Sequence, residues 1–213
     1  VYPNLPLMLI PSIAIGLFAR IFKAQGYQID LFETTHYASE ENSGSELRVT
    51  LLNARQFSIT EDLGITIKED MLGDFRRTVE SFKPNFMIYS VVEDAFDQTI
   101  SLLRTIEDQD IPHLVGGVFP TNAPERCFDH PEIRMIGLGE GERSVVEVAE
   151  AVRLEKPLNK ILGTWRKDET GEIHRNPKDP LVDINEFIPD FSVFDESRFY
   201  RPMGGRNFKM MPV

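Results

Sequence analysis

Cysteine is nearly missing from this chain, and that absence narrows the chemistry at once. Cys127 stands alone among 213 residues, which excludes a disulfide framework, a zinc set or an iron–sulfur cluster held by this sequence itself. A reducing, cytoplasmic setting is the expectation. Basic residues are scarce too: 23 Lys and Arg face 34 Asp and Glu, for a net charge of −11. Nucleic acid and anionic membrane are therefore not expected as partners. Long apolar runs are also lacking. Residues 5–18 contain Pro6 and Pro11 and give way to Arg20, too short for a bilayer and without the basic leader of a signal peptide. His36, His113, His130 and His174 lie scattered, with no pair at metal-ligand spacing.

What the chain does contain is an alternation of apolar runs and amphipathic stretches. Val1-Tyr2-Pro3-Asn4 reads as the last step of a strand, with about five or six further apolar residues expected ahead of Val1. Ser12 is expected to cap a helix of about four turns, buried through Ile13, Leu17, Ile21 and Ala24 and ended by Gly26. Residues 27–32 form the next predicted strand. Residues 40–46 are a polar loop, and residues 47–67 fit helix or strand. Residues 70–82 carry a helical stripe of Met71, Phe75 and Val79, stopped by Pro84. The continuous apolar run at 85–92 predicts a buried parallel strand. A helix over 95–108 capped by Asp94, a strand at 111–115, a turn and a short helix at 122–128, a strand at 134–138 and a helix from 143 to about 155 complete the pattern. It predicts an α/β, doubly wound, flavodoxin-like parallel sheet of about five strands over residues 1–156. Residues 161–166 and 172–175 alternate around Asp168-Glu169-Thr170-Gly171 as a β-hairpin. Residues 177–213 lack periodicity, so 157–213 are expected to be hairpin and extended connector.

In a parallel sheet the carboxyl ends of the strands share one edge, where such sheets bind ligands. Here that edge would gather Asn4, Leu5 and Leu7, Thr34-Thr35, Ser90-Val91-Val92, Gly116-Gly117 with Phe119-Pro120-Thr121, and Gly139-Glu140-Gly141-Glu142. These offer small residues, hydroxyls and backbone N–H groups, with almost no acid, base or nucleophile. Such an edge suits a large cofactor with many hydrogen-bonding groups and is unlike a hydrolase site. The glycine pair admits two readings. It is the rim of a cofactor groove, or a tight strand-to-helix turn in which glycine serves geometry alone.

The order and spacing of Ser90, Gly116-Gly117 and Gly139-Glu140-Gly141-Glu142 resemble the N-terminal cobalamin-binding domain of cobalamin-dependent radical S-adenosylmethionine enzymes. That group includes the anaerobic magnesium-protoporphyrin IX monomethyl ester cyclases and cobalamin-dependent methylases. Ile188-Pro189-Asp190-Phe191 and Arg201-Pro202 resemble the connector of the same proteins, so individually weak motifs cover essentially the whole chain. The resemblance implies that Ser90 and Gly116-Gly117 line a groove for the nucleotide tail of base-off cobalamin. Phe119, Thr121 and the 139–142 turn would approach the corrin edge, with Leu5, Leu7, Met8 or Leu9 facing its lower side. It also implies a partner: a C-terminal domain of the same protein holding a 4Fe-4S cluster and S-adenosylmethionine, for methyl transfer or oxidative cyclisation. Two departures stand out. The Asp-x-His-x-x-Gly loop of cobalt-ligating domains is replaced by Pro3-Asn4-Leu5-Pro6-Leu7-Met8-Leu9, so cobalt would have no histidine from this loop. Val92 stands where the related motif often has Leu. The Cys-x-x-x-Cys-x-x-Cys of the radical domain is absent, and this stretch alone cannot cleave S-adenosylmethionine.

The alternative is a degenerate Rossmann-like or receiver-like interaction module without cofactor. A phosphoacceptor receiver needs acids at strand ends, where Thr34 and Ser90 stand instead. A nicotinamide dehydrogenase needs a G-x-G-x-x-G after the first strand, and none is there. His113 is expected to be a hydrogen-bonded core residue and Cys127 a small buried apolar one. Glu140 and Glu142 fit a helix N-terminus, or the face toward a further domain.

Overall fold

The structure, a computed structural model, describes residues 1–5, 8–38, 60–61, 64–183, 185–203 and 206–210. Leu7, the 40–46 loop and most of the ambiguous stretch 47–67 lie outside the described residues. Ser12 caps α1 (Ile13–Ala24), its hydroxyl accepting from the Ile15 amide at 3.4 Å. Asp70 caps α2 (Met71–Phe82) by accepting from the Gly73 amide at 3.0 Å. Lys83, in the left-handed region, ends that helix just before Pro84. β1 (Met87–Ser90) leads through the 3-10 turn Glu93–Ala95 into α3 (Phe96–Thr105). β2 (His113–Gly116) runs into α4 (Val118–Asn122) and α5 (Pro124–Cys127), and β3 (Met135–Gly137) into α6 (Ser144–Arg153). β4 (Thr164–Lys167) and β5 (Ile173–Arg175) make a hairpin, as do β6 (Tyr200–Met203) and β7 (Arg206–Lys209).

β1, β2 and β3 pair in parallel, with Ser90 opposite Gly116 and Val115 opposite Ile136. Tyr89, Val115 and Ile136 belong to an apolar layer with Phe75 and Val79 of α2 and Ile100 of α3. Leu114 and Met135 pack with Phe22 of α1 and Val145 and Val148 of α6. Helices thus cover both faces of the parallel strands, which is why 85–92 and 111–115 read as unbroken apolar runs rather than alternating ones. The doubly wound, flavodoxin-like architecture expected from the sequence is the one observed.

The details depart from expectation in instructive places. The 161–175 hairpin does not stand apart: β4 pairs antiparallel with β3, so the five-stranded sheet is mixed and runs across residue 157. Residues 27–32 are not a regular strand. Tyr2 bridges Glu33 in parallel, its amide donating to the Phe32 carbonyl at 2.8 Å. On the other side the Val1 amine donates to the Ile88 carbonyl at 2.6 Å, and the Ser90 amide to the Val1 carbonyl at 3.2 Å. Val1 and Tyr2 therefore occupy the lane between residues 32–34 and β1, while residues 27–31 pair with no strand among the described residues. A strand is a pairing and not a property of one apolar run. In that lane lies a cavity of about 790 Å³, lined by Phe22, Phe32, Phe75, Val79 and Ile88 among others.

Helix details shift for equally physical reasons. Ile13 is 64% exposed, and α1 buries Ile15, Gly16, Ala19, Ile21 and Phe22. Its buried face is turned because the C-terminal segment covers it as well. The Asp190 amide donates to the Gly16 carbonyl at 2.8 Å, and a Cβ on Gly16 would sit 3.0 Å from that of Pro189. Arg20 Nε donates to the Ile188 carbonyl at 3.2 Å, and Lys23 Nζ reaches Asp190 Oδ2 and Ser192 Oγ, each at 2.9 Å. Residues 188–192, expected as part of an extended connector, thus lie along α1 and begin a strap that continues through residues 194–199. The turn expected after Gly117 is helical instead. Pro120 sits in the first turn of α4, where no N–H is needed, and Ala123 leaves helical geometry ahead of Pro124. Asp94 lies within the 3-10 turn, and Ala95 precedes α3 with no side-chain cap. Among the described residues no helix is long and apolar enough to cross a membrane.

Candidate functional site

The parallel register carries Ser90, Gly116 and the residues after Gly137 to one end of the sheet, and the bridge at Tyr2 brings Asn4 and Thr34 to the same end. The expected residues fall into two groups there. Asn4, Thr34 and Thr35 are buried, and their polar atoms serve one another. Thr34 Oγ1 accepts from the Asn4 amide at 2.7 Å and lies 2.8 Å from both the Asn4 carbonyl and Gln98 Oε1. Asn4 Nδ2 donates to Thr35 Oγ1 at 3.1 Å and to the Met8 carbonyl at 3.0 Å. The second group is the open rim. Ser90 and Gly116 are half-buried, Val92 and Val118 are exposed at 41% and 64%, and Met8 and Ile10 of the first loop are exposed at 51% and 67%. Water-facing aliphatic groups clustered at strand ends mark a surface suited to an apolar ligand or partner.

The two glycines part company. At Gly117 φ is +109°, and a Cβ would lie 2.6 Å from both N and O of Val91. The Val91 amide donates to the Gly116 carbonyl at 2.8 Å, and its carbonyl accepts from Phe119 at 3.2 Å. Gly117 is thus required by the chain's own backbone, as in the turn reading. At Gly116 a Cβ would make only ordinary contacts, 3.9 Å from the carbonyls of Tyr89 and Gly137, so a small side chain would fit there without strain. A bulky group at Gly117 would disturb the fold itself. Phe119 packs against Phe96 at 4.5 Å between ring centroids, and Pro120 is buried. Thr121 Oγ1 donates to the Gly117 carbonyl at 2.8 Å and accepts from the Gly139 amide at 3.0 Å, tying the ends of β2 and β3 together.

Gly139, with φ +75°, and Glu140 are exposed. Glu140 Oε2 accepts from the Val182 amide at 2.6 Å, so this carboxylate holds the C-terminal segment. Glu142 Oε2 is buried with no partner among the described residues. A Cβ on Gly141 would stand 2.9 Å from the Phe18 ring, a close packing of α1 on the last rim turn.

One residue escaped the sequence reading. Arg198, in the segment expected to be linker, is fully buried beneath the first loop. It donates to Thr35 Oγ1 and pairs with Glu33. No periodicity could have flagged it, because its partners lie more than 160 residues away. Burial pushes the guanidinium down to about 10, still charged at neutral pH. Burial also lowers His36 below its usual value; its Nε2 lies 3.4 Å from Ser197 Oγ. His113 has both ring nitrogens on carbonyls, Ile111 at 3.1 Å and Glu132 at 3.0 Å, as a core histidine should. The Cys127 thiol is buried and pushed up to about 12, leaving it an apolar packing group. Among the described residues no cluster of His, Cys, Asp or Glu is arranged to hold a metal ion.

Fold and edge together define a flavodoxin-like α/β domain with its loops gathered at the carboxyl ends of the strands. No family model matches the chain. Among curated proteins it is similar to cytidylyl-2-hydroxyethylphosphonate methyltransferase of Streptomyces wedmorensis, 22% identical over 177 residues, or 80% of this chain and 30% of that protein. Among solved structures it resembles the radical S-adenosylmethionine methyltransferase TsrM of Kitasatospora setae with cobalamin and a 4Fe-4S cluster bound. The TM-score is 0.60 at 16% identity, over 88% of this chain and 30% of that one. The same enzyme with tryptophan substrate and a S-adenosylmethionine analogue bound gives 0.59 over 83% of this chain. The chain thus spans under a third of the length of these proteins, and the likeness at this identity is one of fold.

Proposed function

We propose that this chain is the cobalamin-binding domain of a larger cobalamin-dependent radical S-adenosylmethionine enzyme. The observation that carries the proposal is the likeness over 88% of the chain to TsrM solved with cobalamin bound. The rim supports it on physical grounds. Val92, Val118, Met8 and Ile10 expose aliphatic surface, and Gly116 leaves backbone approachable. A broad, largely apolar macrocycle with a polar periphery fits such a rim better than a small charged substrate does.

In this reading Gly116, Ser90 and Val92 hold the nucleotide tail, while the first loop with Met8 and Ile10 faces the lower side of the ring. The loop from Asn4 to Leu9 contains no histidine, so in this reading the loop gives cobalt no imidazole. When bound, cobalamin supplies carbon–cobalt chemistry, and the protein supplies binding, orientation and exclusion of water. A further domain of the same protein would hold the 4Fe-4S cluster and S-adenosylmethionine. The methyltransferases among the relatives support methyl transfer rather than ring-forming oxidation. A single cysteine with an inert, buried thiol is in keeping with a cytoplasmic protein.

The test is a titration with hydroxocobalamin followed by its visible spectrum. Saturable binding at one equivalent, with the spectrum moving to the base-off form, is the expected outcome. Gly116→Ala, whose Cβ would make only ordinary contacts with the Tyr89 and Gly137 carbonyls at 3.9 Å, should weaken binding while leaving the fold intact. An unchanged spectrum at a large excess of cobalamin would favour the cofactor-free interaction module.

A further inference from the structure

The first loop is shaped by a residue from the far end of the chain. Arg198 Nη2 donates to the carbonyls of Met8 at 3.1 Å and Ile10 at 3.0 Å, and Nε to that of Leu9 at 3.3 Å. Nη1 donates to Thr35 Oγ1 at 2.9 Å and pairs with Glu33, while the guanidinium lies 5.4 Å over the Phe194 ring. Three successive carbonyls turned inward onto one cation leave Met8 and Ile10 projecting outward, at 51% and 67% exposure, while Leu9 is buried. A buried guanidinium is costly unless its donors are met. Every one of these partners belongs to the first loop, to the rim behind it or to the strap.

Resting on the cobalamin reading above, we propose that Arg198 is a positioning residue for the cofactor site. From the strap, it fixes the first loop with its carbonyls in and its apolar side chains out, and so builds the surface that meets the lower side of the ring. The strap and the site are then coupled. Whatever pulls residues 194–199 away from the loop unshapes the site, and a ligand seated on the loop holds the strap down. The strap's other anchors, Lys23 to Asp190 and Arg20 to the Ile188 carbonyl, lie on α1 and do not touch the loop.

The experiment compares Arg198→Lys and Arg198→Met with Lys23→Ala in the 213-residue chain. It reads amide hydrogen exchange without ligand and hydroxocobalamin affinity at a temperature well below unfolding. Lysine keeps the charge but loses the fork that reaches three carbonyls. In both Arg198 variants, exchange should quicken at residues 8–10 and 33–36 and not in β1 or β2, and affinity should fall about tenfold through lost preorganisation. Lys23→Ala should leave both readouts as in the unmodified chain. Thr35→Ala, which removes one acceptor, should give a smaller effect in the same direction and serves if the Arg198 variants do not fold. Unchanged exchange at residues 8–10 overturns the proposal. So does a loosened loop with undiminished cobalamin affinity. If the unmodified chain binds no cobalamin, the cofactor reading fails, while exchange still decides whether Arg198 holds the loop.

Discussion

Gly116 and Gly117 are adjacent, identical in sequence and opposite in what they tolerate. Gly117→Ala places a Cβ 2.6 Å from the Val91 backbone at a φ of +109°, and neither side can yield. Chemical unfolding should register a loss of about 3 kcal/mol. Gly116→Ala makes only ordinary contacts, with the Tyr89 and Gly137 carbonyls at 3.9 Å, and should stay within about 1 kcal/mol of the unmodified chain. Equal losses at both positions would mean that the close approach to Val91 is not what requires glycine. Tyr89 makes a prediction of the opposite sign. Its ring is fully buried and its hydroxyl has no partner among the described residues. Burial alone raises its pKa far above the usual phenol value. Tyr89→Phe removes that unmet donor with little change of shape, so stability should rise by about 1 kcal/mol. A fall would mean that the hydroxyl has a partner after all.

Elements are decided by their neighbours, and the lane between residues 27–32 and β1 makes the point. Val1 is enclosed there between residues 32–34 and β1, and nearby elements bury two imidazoles: burial lowers both His36 and His113 below the usual histidine value. A cationic group whose folded value is depressed binds its proton more readily in the unfolded chain. Stability should therefore climb as pH rises toward the ordinary imidazole value of about 6.5 and level off above it. Thermal unfolding followed across that range checks it, and a flat curve would mean that burial does not hold these imidazoles neutral. An apolar extension of about five residues ahead of Val1 should also enter the cavity and pair with residues 27–31, raising the melting temperature. The same length with Asp and Pro alternating should not. If both extensions act alike, the lane is not a strand site.

For the molecule as a whole, the strap ties the C-terminal segment to α1 and to the first loop. Lys23 and Ser192 hold the Asp190 carboxyl well below the usual carboxylate range. The stability it adds is present above the ordinary carboxylate pKa and is lost as pH falls through the depressed one. The Lys23 ammonium is 41% exposed and Asp190 20%, so solvent screens the pair. Asp190→Ala should cost at most about 1 kcal/mol at neutral pH, read by thermal unfolding. The strap's hold is thus expected to rest on Arg198 and the packing of Phe194 rather than on surface charge.

Much of this was legible in residue order. Ser12, Asp70 and Pro84 mark helix ends by local hydrogen bonding and sterics, and these act within a few residues. The unbroken apolar runs at 85–92 and 111–115 mark strands covered on both faces, which is a consequence of layer packing. The gathering of Asn4, Thr34, Ser90, Gly116 and Gly139 at one edge follows from parallel topology alone. Tertiary structure decided the rest. Only three-dimensional approach could reveal that Thr34 and Thr35 spend their hydroxyls inside the protein, that Gly117 answers to Val91, and that β4 joins the sheet. Arg198 is the clearest case: its value depends on acceptors some 160 to 190 residues away, and a periodic pattern carries no information over such distances.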